Sequence, residues 1–275
     1  MSLFHLKDKL DHNVISAFNI ASDVAFFAQP SLRRTIGENK HFHNTHQDQD
    51  CFIFGTGPSL AQLSLEDILF LKSKTLIAVN SFYKAKILDE LTPKYYCLLD
   101  NNFWGVASYT FREVFEKYSN TPPIFITDIR ASHIVMNLGI RKLISIYSKH
   151  YPLKSIRTDI SSNLSITMNV ISTAILCAIY MGFKRIYLLG CDYNLFCSRI
   201  GTHCYDDTDE IEELPKYNLA FYLKYYHLTT EFHYLIRKYA KQNNIDIVNL
   251  TPESLLDAYP MNTIGNVRSS THSPV

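Results

Sequence analysis

The feature that most constrains the fold is a regular alternation of short apolar runs with segments of helical length. From Cys51 onward these runs are four or five residues long and rich in Ile, Val, Leu and Tyr. Runs that are apolar throughout predict strands buried on both faces. We therefore predict an α/β fold with a Rossmann-like, mainly parallel sheet and helices on both faces. The predicted strands are Cys51–Phe54, Thr75–Val79, Tyr95–Leu99, Ile124–Thr127, Leu143–Ile146, Arg185–Leu189 and Asp246–Asn249.

Glycine or polar residues follow four of these strands at the point where each strand ends. Because the carboxyl ends of parallel strands meet at one edge of a sheet, and ligands bind beyond that edge, these residues predict a ligand site there. The four strand ends are Gly55–Gly57, Asn80–Ser81, Asp100–Asn101 and Gly190–Asp192.

The first of these ends belongs to a Gly-x-Gly-Pro-Ser turn at residues 55–59. Gly55 and Gly57 lack a Cβ atom, so a phosphate or sugar can approach the backbone closely. Ser59 is a candidate cap for the following helix, whose first N–H groups favour an anion. The turn has neither the Lys of a P-loop nor the GxGxxG pattern. A plain strand-to-helix turn stays open as the alternative.

Charge and cysteine content exclude some classes of partner and environment. The chain has 27 Lys and Arg against 26 Asp and Glu, so nothing favours binding to a nucleic acid backbone. It has six cysteines but no CxxC pair, and no apolar run is long enough to span a bilayer. We expect no signal peptide and a cytoplasmic location.

Asp48 and Asp50 form a D-x-D pair that we interpret as solvated rather than metal-binding.

Two segments differ from the alternating pattern. Residues 1–45 form a predicted N-terminal helical extension, because Leu3, Leu6, Leu10, Val14 and Phe18 recur at three or four residues. That apolar face fits packing on the domain, a homo-oligomer surface or peripheral contact with a membrane. The remaining residues 46–275 form the predicted catalytic domain. Within it, the polar segment at about 193–220 predicts a lid that closes over the ligand.

Four stretches of the chain resemble the bacterial sialyltransferases of glycosyltransferase family 42, which modify lipooligosaccharide. Gly55–Leu60 is similar to the family's Gly-Asn-Gly-Pro-Ser-Leu, and Asn80–Tyr83 to its Asn-Gln-Phe-Tyr. Gly182–Tyr193 and Ile245–Leu256 resemble further family motifs in order and spacing. The resemblance covers roughly residues 51–258 and implies the type A glycosyltransferase variant of the Rossmann-like fold. The glycine motif alone also occurs in related motility-accessory and pterin diphosphokinase proteins.

The resemblance implies specific site residues. Counted back from Pro252 without a gap, His227 falls on the family's catalytic-base histidine. Tyr193 and Tyr205 are implied as catalytic residues in place of two phosphate-contacting tyrosines, one of which aligns with Asn194. The implied nucleotide-sugar-binding residues are Gly55, Thr56, Gly57, Ser59, Asn80, Ser81, Asn101, Thr167, Asn169, Gly190, Asp192 and Asn194.

The resemblance also implies the reaction, an inverting transfer of sialic acid or a related ulosonate. The donor is a CMP-sugar, and the acceptor is a glycan of lipooligosaccharide or capsule. A histidine deprotonates the acceptor hydroxyl, while tyrosine hydroxyls stabilise the departing phosphate without a metal. No metal cofactor is expected. Such an enzyme works in the cytoplasm, either free or on the inner face of the cytoplasmic membrane.

Other functions remain open on the sequence. An ATP-dependent diphosphokinase of the related pterin type needs Mg²⁺, for which the acidic run at residues 206–213 offers carboxylates. A non-catalytic nucleotide- or glycan-binding module is the third candidate. His203 competes with His227 as the base, because it lies in the predicted lid. A zinc site at His203, Cys204 and Cys197 has no recognisable spacing.

Overall fold

The fold is organised around a seven-stranded sheet in which every pair of neighbouring strands is parallel. It is seen in a computed structural model that describes residues 3–166, 168–197, 203–206 and 218–271. The spatial order of its strands is β5-β4-β3-β2-β1-β8-β9. They are β1 (Asp50–Phe54), β2 (Thr75–Val79), β3 (Tyr95–Leu98), β4 (Ile124–Asp128), β5 (Leu143–Ile146), β8 (Arg185–Leu189) and β9 (Asp246–Asn249).

These strands confirm the predicted α/β class and match the predicted strands to within one residue at each end. The sequence analysis missed a two-stranded parallel pair, formed by β6 (Ser148–His150) and β7 (Leu164–Ser165). Strands this short carry too few residues for a pattern to be recognised.

Helices flank the sheet on both faces. Within the described part of the chain they are α1 (Leu3–Phe27), α2 (Pro30–Gly37), α3 (Leu65–Leu71), α4 (Thr110–Lys117), α5 (Ser132–Asn137), α6 (Val170–Tyr180), α7 (Leu219–Gln242) and α8 (Ile264–Thr271). Among these residues, no helix is both long and apolar enough to cross a membrane.

The core consists of two layers, one on each face of the sheet. In β1, Cys51 and Ile53 point to the layer under α6 and α7, while Phe52 and Phe54 point to the opposite layer. This is the two-residue alternation of strand side chains. The α6 residues from Ile171 to Ile179 are buried throughout, which explains why that helix is apolar on all sides.

The strand order places a topological switch point at β1. From β1 the chain builds the sheet outward through β2 to β5 on one side, and it adds β8 and β9 on the other. Connections leave in opposite directions from such a point, and a crevice opens between them at the carboxyl edge. The ends of β1 and β8 therefore mark where a ligand site is expected.

Candidate active site

A cleft of about 590 Å³ lies at this carboxyl edge. Its walls come from the ends of β1, β2, β3 and β8, from the start of α6 and from α7. The lining residues include Gly55, Thr56, Gly57, Asn80, Asp100, Asn101, Asn169, Thr173, Gly190, Asp192, Tyr193, Asn194, His203, Tyr225, Tyr226 and His233. The cleft thus brings together strand ends that are far apart in sequence, as predicted from their shared edge.

The cleft floor is formed by two backbone turns, at residues 55–57 and 190–192. The Gly57 N–H donates to the Gly190 carbonyl at 2.9 Å. A Cβ atom at Gly57 would lie 1.8 Å from the Asp192 Oδ2 atom, and one at Gly55 would lie 2.2 Å from the Gly190 oxygen. Both glycines are therefore required by the close approach of the two turns, whatever ligand binds above them.

Asp192 joins these turns through Ser59. The Ser59 hydroxyl donates to Oδ2 at 2.8 Å, and the Ser59 N–H donates to Oδ1 at 3.1 Å. Burial raises the pKa of Asp192, while these two hydrogen bonds oppose the rise. Ser59 is thus not the helix cap that the sequence suggested. It lies inside a short 3-10 helix, Pro58–Gln62, that has no side-chain cap.

Asn80 is held in a strained backbone conformation at the end of β2. Its φ angle is +46°, in the left-handed region that non-glycine residues rarely adopt. Its Oδ1 atom is buried and has no hydrogen-bond partner among the described residues. A buried amide oxygen without a partner is costly in a folded protein and is characteristic of binding sites.

The amino end of α6 also faces the cleft. The Asn169 side chain caps this helix by accepting hydrogen bonds from the N–H groups of Ile171 and Ser172, at 2.8 and 3.3 Å. The positive end of the helix dipole and the capping amide are thus presented at one wall. Thr167, the other predicted residue of this loop, lies outside the described residues.

A tyrosine wall adjoins the amino end of α6 and consists of Tyr193, Tyr225 and Tyr226. Tyr193 has a φ angle of +60°, and its hydroxyl contacts the Thr229 hydroxyl. The Tyr225 hydroxyl donates to the Met168 carbonyl at 2.8 Å. Burial raises the pKa of Tyr225 to about 12 and raises that of Tyr226 as well. These phenols remain protonated donors at neutral pH.

The segment at residues 203–206 covers part of the cleft. The Cys204 N–H donates to the Thr56 carbonyl at 2.9 Å, which ties the segment to the cleft floor. His203 lines the cleft and stacks on Tyr205, with ring centroids 5.0 Å apart. Tyr205 itself does not line the cleft. The rest of the predicted lid between 197 and 218 lies outside the described residues.

His227 does not reach the cleft in this structure. Its side chain is 66% exposed, and its Nε2 atom lies 3.6 Å from Glu231 one turn further along α7. Tyr225 and Tyr226 line the cleft from the same helix. At about 100° per residue, position 227 lies on the side of α7 away from the cleft.

His233 lines the cleft instead, a position that the sequence analysis did not select. It is fully buried, with Nε2 3.1 Å from the Ser172 hydroxyl and Nδ1 2.9 Å from the Tyr259 hydroxyl. Burial lowers its pKa to about 3, so the ring is neutral. The spacing of Tyr225, Thr229 and His233, one turn apart, was the available signal for this face.

The predicted site residues that the structure describes therefore fall into three groups, and Thr167 lies outside the described residues. One group lines the cleft and consists of Gly55, Thr56, Gly57, Asn80, Asn101, Asn169, Gly190, Asp192, Tyr193 and Asn194. Ser59 supports the floor from beneath through Asp192. Ser81, Tyr205 and His227 lie outside the lining.

The charge of the lining is low. Among the described residues it contains Asp100 and Asp192 but neither Lys nor Arg, and asparagine is its most frequent polar residue. In the same part of the chain, no group of three or more His, Cys, Asp or Glu side chains is placed to hold a metal ion. Asp50 lies at the opposite end of β1, where it pairs with Arg185 at 2.7 Å.

Comparison with known proteins gives one family match. The family model described as 6-hydroxymethylpterin diphosphokinase MptE-like matches residues 29–195, which is more than half of the chain. A search among curated proteins gives no match.

Solved structures give a similarity at the level of the fold. The MAf glycosyltransferase from Magnetospirillum magneticum AMB-1 has a TM-score of 0.50 and 15% identity, over 85% of this chain and 39% of that one. The chain thus spans well under half of that protein. The sialyltransferase CstII from Campylobacter jejuni, in complex with cytidine-5'-monophosphate, has a TM-score of 0.46 and 15% identity, over 79% of this chain and 86% of that one. A further structure, sialyltransferase CST-II with trisaccharide acceptor and CMP, has a TM-score of 0.47 and 16% identity, over 77% and 85%.

Proposed function

The chain belongs to the 6-hydroxymethylpterin diphosphokinase MptE-like family, and within that family we propose that it is an inverting glycosyltransferase. It transfers sialic acid or a related nonulosonate from a CMP-sugar donor to a glycan acceptor. The observation that carries this proposal is the cleft at the sheet edge. The cleft combines a backbone floor, a wall of tyrosine hydroxyls and a lining without cationic side chains among the described residues.

The low charge of the lining suits a donor of this type. A CMP-nonulosonate has one negative charge on its bridging phosphate and one on the carboxylate of its sugar, whereas a nucleoside triphosphate has three or four on adjoining phosphates. Asparagine amides, hydroxyls and a helix amino end can hold a single phosphate charge. A triphosphate normally requires Lys, Arg or a metal to balance its charge. The asparagines Asn80, Asn101, Asn169 and Asn194 can also bond to the hydroxyls and base edges of the donor.

In the proposed reaction a histidine removes the proton from the acceptor hydroxyl. The acceptor oxygen then bonds to the anomeric carbon of the donor sugar, and the bond from that carbon to the phosphate oxygen breaks. The geometry favours His203 as this base, because it lines the cleft. The resemblance in sequence favours His227, which would need α7 or its amino end to turn. The two assignments predict different mutant phenotypes, given in the Discussion.

The tyrosine wall would stabilise the leaving phosphate. Tyr225 would exchange its bond to the Met168 carbonyl for one to a phosphate oxygen. A neutral phenol can make this exchange because its proton stays on the hydroxyl. Tyr193 lies against the same cleft, so two donors converge on one region. No metal is assigned to this step.

A diphosphokinase is the second candidate, and one observation favours it. Asp100 and Asp192 both line the cleft, and Mg²⁺ in nucleotide-dependent enzymes is held by one or two carboxylates together with phosphate oxygens. Asp192 accepts two hydrogen bonds from Ser59, whereas Asp100 accepts one, from the Asn102 N–H at 3.0 Å, so Asp100 would be the main protein ligand.

The experiment that separates these functions measures nucleotide release by the purified chain. CMP-sugars with a glycan acceptor should yield free CMP, and EDTA should leave the rate unchanged. ATP with 6-hydroxymethylpterin and Mg²⁺ should yield no AMP. Release of AMP that EDTA abolishes, without release of CMP, would replace the proposal by the second candidate.

A matched pair of variants ties that activity to this cleft. Asn101→Ala removes a lining amide, whereas Asn102→Ala removes the neighbouring exposed amide, which does not line the cleft. CMP release should fall in the first variant and stay unchanged in the second. Equal rates in both variants would indicate a contaminating activity or a different site.

A further inference from the structure

Helix α1 packs on the domain through its polar residues. The Asn19 side chain exchanges two hydrogen bonds with the Tyr151 backbone, at 2.8 and 2.7 Å. Asp23 forms a two-pronged ion pair with Arg157 at 2.7 and 2.8 Å. Phe26 adds a stacked contact with Tyr147, with centroids 5.4 Å apart. These bonds fix the rotation of the helix, so its other side is held outward.

The outward side of α1 is apolar. Large side chains that are 48–69% exposed cover it, namely Leu10, Val14, Phe18, Ile20, Val24 and Phe27. Exposed alanines lie between them at Ala17 and Ala21, and exposed Ala28 follows directly after the last turn of α1. From Asn13 to Ala28 the one charged residue is Asp23, and it lies on the packed side. We call this surface the outer face of α1.

The residues of the outer face follow a coiled-coil spacing. Its central line runs in steps of four and three residues through Leu10, Val14, Ala17, Ala21, Val24 and Ala28. A period of 3.5 residues keeps one line of side chains against a partner helix along its length. Ala at the centre allows the two helix axes to approach closely. Phe18, Ile20 and Phe27 flank this line and would cover its edges.

We propose that the outer face of α1 pairs with the same face of a second copy of this chain, forming a two-fold symmetric dimer. A two-fold contact places one patch against itself, and this patch is complementary to itself because it is uncharged and apolar. Burying six large apolar side chains from each copy would remove on the order of 10³ Å² from water, which is in the range of a stable interface.

A lipid surface fits this helix less well. Helices that lie on membranes carry Lys or Arg on their polar side, next to the lipid headgroups. From Asn13 to Phe27 the polar side of α1 is turned into the protein and has neither Lys nor Arg; its one charged residue, Asp23, pairs with Arg157. The alanines at the centre of the line favour helix pairing, because they let two helix axes approach closely.

The test is the mass of the full chain in solution, measured by sedimentation at about ten micromolar. The wild type should be a dimer, and Val24→Glu should shift it to a monomer. Leu69→Glu is the matched control, because it places the same charge on an exposed leucine of α3 and should leave the dimer intact. Circular dichroism checks that each variant is folded.

The remaining outcomes overturn the proposal. A monomeric wild type refutes it directly, whether or not the variants fold. A dimer that Val24→Glu leaves intact places the interface elsewhere. Flotation with vesicles of phosphatidylcholine and phosphatidylglycerol examines the lipid alternative. Binding of a monomeric wild type to these vesicles, lost in Val24→Glu, would assign the outer face to the membrane.

Discussion

The floor and the tyrosine wall of the cleft are built in different ways. The floor is backbone, and Asp192 and Ser59 lock its two turns together. The wall consists of the side chains of Tyr193, Tyr225 and Tyr226, and the hydroxyls of Tyr193 and Tyr225 are bonded to groups that a ligand could replace. The floor therefore tolerates little change in backbone or side-chain shape, whereas the wall supplies the hydroxyl groups that can contact a reacting ligand. Substitutions in the floor should reduce both the stability of the fold and ligand binding, whereas substitutions in the wall should reduce turnover.

The largest expected effect is on turnover and concerns His203, a side chain that lines the cleft beside the tyrosine wall. His203→Ala should reduce the rate of CMP-sugar transfer by about 10²–10⁴-fold, the usual contribution of a positioned general base, with CMP affinity nearly unchanged. His227→Ala is the matched substitution at an exposed position of α7. Transfer kinetics and CMP titration of both variants decide between the two histidines. A large loss in His227→Ala with normal turnover in His203→Ala would assign the base to α7 and imply that this helix turns during the reaction.

The free energy of unfolding should depend on pH through His233, a buried residue that lines the cleft on the same helix as Tyr225 and Tyr226. Its pKa is about 3 in the folded chain, against an ordinary value of 6.5. The unfolded chain therefore takes up a proton that the folded chain does not. Between pH 6.5 and about 3, each unit of acidification should cost about 1.4 kcal/mol of unfolding free energy. Above pH 6.5 this contribution is constant.

Urea unfolding between pH 4 and 7 measures this slope, with His233→Gln as the comparison. The variant keeps hydrogen-bonding groups but cannot titrate, so its slope should be shallower. Burial also lowers the pKa of His46 and His150, and both contribute equally to the two proteins. Identical slopes would show that His233 is not held neutral by the fold.

A substitution in the floor should have a smaller effect, on stability and binding together. Gly57→Ala places a Cβ atom 1.8 Å from the Asp192 carboxylate. Displacing that carboxylate should cost about 1–3 kcal/mol of unfolding free energy and abolish thermal stabilisation by CMP. Gly37→Ala is the control, since a Cβ atom there has no neighbour within 4 Å. If CMP still stabilised Gly57→Ala against thermal unfolding, the floor would not be part of the ligand site.

The smallest effect is expected from a single hydroxyl of the wall. Tyr225→Phe removes the bond to the Met168 carbonyl and should lower stability by about 1 kcal/mol. If the same hydroxyl binds the leaving phosphate, transfer should also slow by roughly 10- to 100-fold, because a hydrogen bond to a charged group contributes about 1.5–3 kcal/mol. Tyr234→Phe removes a comparable bond to Asp257 on the exposed side of α7 and should leave transfer unchanged. Equal transfer rates in the two variants would show that the Tyr225 hydroxyl takes no part in the reaction.

The sheet and the position of the cleft floor can be predicted from the amino-acid sequence. Runs such as Thr75–Val79 and Arg185–Leu189 identify their strands because a strand buried on both faces must be apolar throughout. The parallel arrangement then places Gly55, Asn80 and Gly190 at one edge without further information. Each of these predictions rests on residues adjacent in the sequence, because every strand is followed directly by its own glycine or polar residues.

Two features become visible only in the folded chain: why the floor has its glycines, and which side of α7 faces the cleft. The sequence favoured a ligand as the reason for Gly57, but the neighbour that excludes a Cβ atom is Asp192, 135 residues further along the chain. Spacing along the chain selected His227, whereas the rotation of α7 presents Tyr225 and His233 to the cleft. That rotation is set by the burial of Phe232 and Ile236 against the sheet. A helix turns its most apolar side to the core, and the positions of its other residues follow from that packing.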